Sequence, residues 1–283
     1  MLKYRSGSTG EEIDLSGRCI NAHIKTAGFY DYEYKVDEIE LATGIVAGGF
    51  SRNSKEYRLI LDFRGSADER ADAAERFTSL TNRDIADKKI GRLYFKEYYL
   101  NCYITGAEYK NAERARLVRK TVSVYTPKPV WITEEKRAFQ RITNGISEET
   151  HLDYEHDYNY DYTMPYGGDV IWHVDHYAPC EYEMIIYGPC VDPSVVINGH
   201  TYKVYATLDD NDYLIINSRE NSVVHYLSNG TQRDLYDYRA KIGDSLFEPI
   251  TPGNIRVVWS GEFGFDLTLF CERSEPRWKT QGS

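Results

Sequence analysis

The stretch of sequence that most constrains the fold is residues 185–202, IIYGPCVDPSVVINGHTY. It begins with an apolar strand candidate, continues through a break bounded by two prolines, and enters a short strand at residues 195–197. Asn198 and Gly199 separate that strand from the next, residues 201–207, and both residue types accept the positive φ that a two-residue hairpin turn requires. The stretch therefore predicts consecutive antiparallel strands.

The rest of the second half repeats this arrangement of short strands and turns. Asn229 and Gly230 mark another turn of the same kind. Many short strands at even spacing, without a long helix, are typical of a β-sandwich or a jelly roll. The further strand candidates are residues 213–216, 223–227, 255–259 and 264–271.

Two segments of the second half show the alternation of a strand with one buried face. In the last strand candidate, Phe265, Leu267 and Leu269 alternate with Asp266 and Thr268, which is the period of a half-buried strand. Farther upstream, tyrosines alternate with acidic residues, which predicts a strand with one solvated face. The alternating residues are Asp153, Tyr154, Glu155, Asp157, Tyr158, Tyr160, Asp161, Tyr162 and Tyr166.

The first half combines strand signals with one helix. Residues 57–63 alternate apolar and polar side chains, which predicts a strand. Ser66 and Glu69 have the spacing of a capping box at a helix start, and we expect the helix to end near Thr81 and Asn82. Such a helix most often covers one face of a sheet. Its apolar stripe is Ala67, Ala71, Ala74, Phe77 and Leu80.

Residues 91–104 predict a Tyr-rich hairpin, although its turn at Lys96-Glu97 lacks the usual Gly or Asn. A further strand is expected at residues 117–124. The sheet should stop at Pro127 and Pro129, because neither can donate to a strand ladder. We place a domain boundary in the charged segment that follows, giving residues 1–133 as an N-terminal domain and residues 134–283 as a C-terminal domain.

Charge and cysteine content exclude several classes of protein. The chain has 44 acidic and 34 basic residues and a net charge of −10, which argues against specific nucleic-acid binding. The five cysteines are odd in number and widely spread, so we expect mostly buried, reduced thiols of a cytosolic product and no disulfide framework. The N-terminus lacks a secretory signal and no segment is apolar enough to span a membrane, so no membrane insertion is expected. The cysteines are Cys19, Cys102, Cys180, Cys190 and Cys271.

A metal site has the right residue types but the wrong spacing. The apolar neighbours of His173 and His176 indicate a strand, and in a strand these two side chains would point to opposite faces. Cys180 and Cys190 are ten residues apart, whereas structural zinc usually uses closely paired ligands. His151 and His156 are also near in sequence. Surface or half-buried histidines are the better interpretation, so no metal ligand is assigned.

The sequence contains no catalytic or cofactor-binding signature. Gly44, Gly48 and Gly49 match neither a dinucleotide-binding loop nor a P-loop, and we expect them in a loop or at a strand end. Nothing selects a cysteine nucleophile or a glycosidase carboxylate pair. We therefore expect no enzyme and assign no catalytic, cofactor-binding or metal residue. Exposed aromatic rings leave a carbohydrate-binding surface open as an alternative, but Trp172 and Trp259 are expected in the core.

The order of several segments resembles one known family, the distal tail proteins of siphophages. The chain departs from the family pattern at the Lys96-Glu97 turn and in the His- and Cys-containing residues 173–190. The segments that carry the resemblance are Tyr4-Arg5-Ser6 and residues 10–15, 91–104, 124–132, 164–167, 187–202, 250–265 and 272–278.

The resemblance implies a mainly β protein with a ring-forming N-terminal β domain, one covering helix and a galectin-like C-terminal β-sandwich. It implies a structural virion protein that forms a hexameric ring, joins the tail tube protein to the tail-associated or baseplate hub protein, and leaves a channel for DNA. Receptor-binding proteins are possible further partners. Such a protein is made in the bacterial host cytoplasm and resides at the tail tip of the virion. The alternative function is a non-catalytic carbohydrate-binding β-sandwich that recognises a receptor or cell-wall glycan.

Overall fold

The computed structural model describes residues 1–112, 117–142, 168–241 and 243–278. The expected Tyr-rich strand, the segment 164–167, His151 and His156 lie outside the described residues. Antiparallel strands dominate the described part of the chain, which confirms the mainly β fold class. The chain forms two compact units, one of residues Met1–Thr133 together with the segment that begins at Glu272, and one of residues Glu134–Cys271.

The first unit contains the single α-helix of the described residues, and its strands pair with one another in antiparallel fashion. Strand β10 contributes residues to both units. The elements are β1 (Leu2–Arg5), β2 (Glu12–Asp14), β3 (Ile20–Ala22), β4 (Lys35–Leu41), β5 (Gly44–Ser51), β6 (Lys55–Phe63), α1 (Ala67–Ala86), β7 (Gly91–Phe95), β8 (Tyr98–Ala112), β9 (Leu117–Thr126) and β10 (Trp131–Phe139).

Two runs of strands meet at β8 in this unit. The order β2–β1–β7–β8 continues the predicted hairpin of β7 and β8, and β3–β6–β9 joins the far half of β8. The predicted turn at Lys96-Glu97 is confirmed, with Lys96 at a φ of 57° where a Gly or Asn is usual. The predicted strands at residues 57–63 and 117–124 are confirmed as β6 and β9.

Helix α1 covers a face of this β-structure, as the sequence predicts. Ser66 Oγ accepts from the Glu69 N–H and the Glu69 carboxylate accepts from the Ser66 N–H, so both halves of the capping box form. The Phe77 ring packs edge-on against Tyr4 and Phe63, with centroid distances of 6.4 and 6.3 Å. The helix thereby closes the core of the first unit.

The predicted end of α1 near Thr81 and Asn82 is wrong, because the helix continues to Ala86. The added turn carries Asp84, whose buried carboxylate accepts hydrogen bonds from Tyr4 Oη at 2.7 Å and Ser6 Oγ at 2.6 Å. These contacts join residues that are distant in sequence, so no pattern within the helix predicts them. The start of the helix is also less buried than expected, since Ala67 and Ala71 are exposed.

The second unit is built from two main antiparallel sheets. One has the order β19–β18–β17–β12–β21, and the other has the order β11–β20–β14–β15. Strands β13 and β16 form a separate pair. The elements are β11 (Gly168–Val174), β12 (Glu181–Tyr187), β13 (Cys190–Val191), β14 (Ser194–Ile197), β15 (His200–Lys203), β16 (Thr207–Leu208), β17 (Tyr213–Asn217), β18 (Ser222–Tyr226), β19 (Gln232–Asp234), β20 (Gly253–Trp259) and β21 (Phe265–Arg273).

The most constraining stretch of the sequence folds as predicted in its central part. Asn198 and Gly199 join β14 to β15 with φ values of 51° and 86°, so both adopt the positive φ of the hairpin turn. The following strand is shorter than expected, because β15 ends at Lys203. In β21, Phe265, Leu267 and Leu269 are buried while Asp266 and Thr268 are not, which confirms the predicted alternation.

Trp172 and Trp259 lie in the core of the second unit, as expected. A close fit surrounds Trp259, because a Cβ added to Gly168 would stand 2.0 Å from its ring. None of the helices in the described ranges is long and apolar enough to cross a membrane.

Candidate functional site

An exposed hairpin, β4 with β5, is the most unusual surface of the described structure. Its strands pair with each other from Lys35↔Ser51 to Leu41↔Gly44, and with no other strand of the described residues. The sequence predicts the glycines of β5 in a loop or at a strand end, and this prediction is wrong for Gly48 and Gly49, which lie inside β5. The exposed apolar side chains of the hairpin are Val36, Ile39, Leu41, Ile45, Val46 and Phe50.

Both faces of this hairpin carry apolar side chains. Ile39 is opposite Val46 on one face, and the adjacent pair, Glu40 opposite Ile45, points to the other. Phe50, opposite Val36, has 67% of its surface exposed. A two-stranded ribbon is marginal by itself in water, and exposed apolar clusters commonly mark interaction surfaces. The hairpin is therefore a candidate surface for assembly.

A β-bulge shapes the ribbon between Asp37 and Glu38, where Gly48 is the extra residue of β5. A Cβ added to Gly48 would stand 2.5 Å from Ile39 Cδ1, so glycine lets the Ile39 side chain lie over the opposite strand. The glycines made this strand difficult to predict from the sequence, yet Gly48 is part of its bulged geometry.

Arg52 holds the base of the hairpin against the rest of the first unit. Its guanidinium lies 4.5 Å from the centre of the Tyr34 ring and also donates to Tyr34 Oη. It donates to Ser274 Oγ at 2.7 Å and to the Pro129 carbonyl at 3.3 Å. The hydrogen bond with Ser274, helped by Arg52, lowers the pKa of Tyr34. The direction in which the hairpin leaves the unit is therefore fixed by several polar contacts.

The C-terminal segment from Glu272 packs on the rest of the first unit, beside the base of the hairpin. Trp278 stacks on Tyr30 with ring centres 4.3 Å apart, and Lys96 Nζ donates to the Arg277 carbonyl at 2.6 Å. Lys128 Nζ forms an ion pair with the Glu272 carboxylate at 2.6 Å. The described residues of this segment therefore belong to the first unit, although they follow the second unit in the sequence.

A half-open cavity of about 370 Å³ lies at the hairpin base. The cavity is lined by residues of both charges. One of them is Lys55, whose Nζ donates a hydrogen bond to the Asp31 carbonyl. The charged residues that line it are Asp31, Glu33, Lys35, Arg52 and Lys55.

The buried carboxylates of the described residues have structural partners. Asp62 accepts two hydrogen bonds from the Arg119 guanidinium, at 2.7 and 2.9 Å, and one from His23. The Arg119 contacts, with a smaller effect of His23, lower the pKa of Asp62 to about 2. In the second unit, Asp212 lies 2.9 Å from His225 and accepts from backbone N–H groups. Both clusters hold strands and loops together.

Three of the described residues considered for a metal site have different neighbours. His173 Nδ1 is 2.9 Å from Asn254 Oδ1 on the neighbouring strand β20, while Cys180 is buried next to Cys271. Cys190 lies in β13, and burial raises its pKa to about 11. Within the described ranges, no group of three His, Cys, Asp or Glu side chains is arranged to hold a metal ion.

No model of a known protein family matches this sequence, and no curated protein matches it. Comparison with solved structures is informative, because the chain has the fold of phage tail hub and baseplate proteins, as the sequence resemblance predicts. One match is the Dit protein of phage SPP1, described as a paradigm of the hub adsorption apparatus in phages that infect Gram-positive bacteria. It aligns with a TM-score of 0.57 and 9% sequence identity, over 96% of this chain and 99% of that chain.

Two structures of the phage P2 baseplate in its activated conformation also match. The structure with Ca aligns with a TM-score of 0.62 and the structure with Sr with a TM-score of 0.61. Each has 13% sequence identity and covers 98% of this chain and 100% of the matched chain. The likeness therefore extends over both units, and at these identities it establishes the fold.

Proposed function

We propose that this chain is a structural protein of a phage tail, a distal tail hub that closes into a ring of six copies. The observation that carries the proposal is a fold shared over almost the entire chain with phage hub and baseplate proteins. The candidate surface adds support, because an apolar ribbon exposed on both faces requires a partner to bury it.

In this proposal the β4–β5 hairpin of one copy lies against the first unit of the next copy. Such head-to-tail contacts use two different patches on each copy, and they form a ring when the rotation between copies closes. The residues Met1–Thr133 would supply the ring, and the second unit would face outward as a β-sandwich for receptor-binding proteins. The remaining partners would be the tail tube protein and the tail-associated or baseplate hub protein.

The charge of the chain suits a channel through which DNA passes. Six copies at −10 each carry a charge near −60, which disfavours adhesion of a polyanion to the ring. The protein would act through assembly and geometry, without catalysis, at the tail tip of the virion after synthesis in the host cytoplasm.

The direct test is the mass of the purified chain in solution, together with negative-stain images. We expect rings of six copies for the natural sequence and monomers for Phe50→Asp, because burial of the hairpin would then leave a carboxylate without a partner. At an interface hot spot, such a loss corresponds to about 2 kcal/mol or more, or at least roughly 30-fold weaker association.

A matched control is Ile171→Asp, since Ile171 of β11 is as exposed as Phe50, at 67%. This variant should retain the ring. A natural chain that stays monomeric at high concentration, with no affinity for tail tube or baseplate components, would contradict the proposal. A monomer that bound glycans would instead support the carbohydrate-binding alternative.

A further inference from the structure

Two buried thiols face each other across neighbouring strands of the second unit. Strands β12 and β21 pair with Glu181 opposite Phe270 and Tyr182 opposite Leu269, so the same register extended by one residue places Cys180 opposite Cys271. Their sulfur atoms are 3.5 Å apart. The side chains are almost completely buried, with 1% and 2% of their surfaces exposed.

The backbone hydrogen bonds show which kind of cross-strand pair this is. The N–H and C=O groups of Cys180 both bond to Ile250, at 2.8 and 2.9 Å, so neither group points toward β21. Cys180 and Cys271 therefore form a non-hydrogen-bonded pair, the type in which the Cα atoms come within about 4.5 Å of each other. This separation falls inside the range of roughly 4.4–6.8 Å between the Cα atoms of disulfides.

We propose that Cys180 and Cys271 are a disulfide site, reduced in the compartment of synthesis and oxidised when the protein meets an oxidising medium. The reducing cytoplasm keeps such a pair in the thiol form, whereas an oxidising extracellular medium allows the disulfide bond to form and persist. The bond would close a loop that contains β13 through β20 and tie the start of β12 to the end of β21. It would stabilise the second unit by restricting its unfolded state.

The oxidant in this proposal is a low-molecular-weight disulfide. The thiolate of one cysteine attacks a sulfur of the oxidant and releases one thiol, leaving a mixed disulfide. The thiolate of the other cysteine then attacks the protein sulfur of that mixed disulfide and releases the second thiol. Two protein thiols lose two electrons and two protons in total, and one disulfide becomes two thiols. Because both cysteines are buried, the reaction requires local opening of these strand ends.

The experiment uses the full chain, purified with a reductant and then incubated with oxidised glutathione. Samples are denatured, alkylated with iodoacetamide and weighed by mass spectrometry. All five cysteines should be alkylated before oxidation and three afterwards, with a cross-linked peptide that joins Cys180 to Cys271. Urea below the unfolding transition should accelerate the reaction. The oxidised chain should melt higher, by on the order of 5 °C or more.

Single-residue variants provide the controls. Cys180→Ser and Cys271→Ser should each retain four alkylated cysteines after oxidation, whereas Cys190→Ser, in the same unit, should fall from four to two. The proposal is overturned if five thiols persist with and without urea, if the bond joins a different pair, or if only a glutathione adduct forms. None of these outcomes bears on ring formation, so the test is independent of the proposed function.

Discussion

Two antiparallel β-hairpins of the molecule have opposite relations to the core. In the hairpin of β17 and β18, Leu214, Ile216 and Val223 are buried, and β17 also pairs with β12. In the hairpin of β4 and β5, the apolar side chains are exposed and the described residues provide no third strand. Apolar residues in a ribbon therefore do not by themselves define a core, because the neighbouring elements decide whether they are buried.

The difference separates stability from assembly. The hairpin of β17 and β18 contributes to the hydrophobic core that stabilises its own unit. The hairpin of β4 and β5 gains no such burial within the described chain, and the proposed function therefore has its apolar residues contact another copy. Substitutions of the same type in the two hairpins can test this division of roles.

The largest effect is expected from paired isoleucine truncations. Ile216→Ala should lower the free energy of unfolding of the second unit by about 2–5 kcal/mol, because it leaves a cavity at a side chain with only 1% of its surface exposed. Ile39→Ala, at a position with 50% exposure, should change the monomer by no more than about 0.5 kcal/mol. Urea unfolding of both variants measures the difference, and similar losses would remove the contrast between the hairpins.

The next effect compares two aspartates of the first unit. Asp84→Ala should destabilise it by about 3 kcal/mol, since the hydroxyl groups of Tyr4 and Ser6 would lose a charged acceptor in a buried site. Asp37→Ala in the exposed hairpin removes only a 3.9 Å ion pair with Lys35 and should cost less than about 1 kcal/mol. Thermal melting of the two variants side by side would show whether burial sets the cost.

A smaller effect concerns pH and the first unit. Hydrogen bonds from Arg119 lower the pKa of Asp62 from 3.8 to about 2, so its contribution is fully present above about pH 4 and is lost as pH falls toward 2. The contribution should amount to about 1–2 kcal/mol after allowance for the partly exposed Arg119. Asp62→Asn should flatten the stability curve in that pH window, and an unchanged curve would contradict the assignment.

The smallest effect is expected at the hairpin turns. Gly199 has a φ of 86° and Gly44 a φ of 134°, so alanine is strained at both positions. Gly199→Ala should cost about 1 kcal/mol in unfolding of the second unit, because its hairpin packs into the core. Gly44→Ala should leave monomer unfolding almost unchanged and weaken ring formation instead. Equal effects on unfolding would show that the exposed hairpin belongs to the cooperative unit.

Several elements were predictable because their signals are local. The capping box of Ser66 and Glu69 specifies the start of α1, and Asn198-Gly199 specifies a hairpin turn, since each depends on residues within one turn of chain. The alternation in residues 264–271 specifies which side chains of β21 face inward. The order of such segments also carried the resemblance to phage tail proteins that the structural comparison bears out.

Other elements depended on residues far apart in sequence. The last turn of α1 is held by Tyr4 and Ser6 at Asp84, which local propensity does not reveal. The hairpin of β4 and β5 was missed because its bulge interrupts the alternation and its glycines favour a loop interpretation. The sequence therefore does not reveal the candidate surface, since exposed and buried apolar residues look alike in one sequence.

The sequence by itself determined the β-rich class, the capped helix, the hairpin turn at Asn198-Gly199 and the order of segments shared with tail proteins. These features rest on backbone preferences and periodicity, which act over a few residues. Only the tertiary structure decided that the β4–β5 hairpin is exposed, that residues 272–278 return to the first unit, and that Cys180 faces Cys271. Burial and long-range register are properties of the folded chain, because they arise only when distant segments pack together.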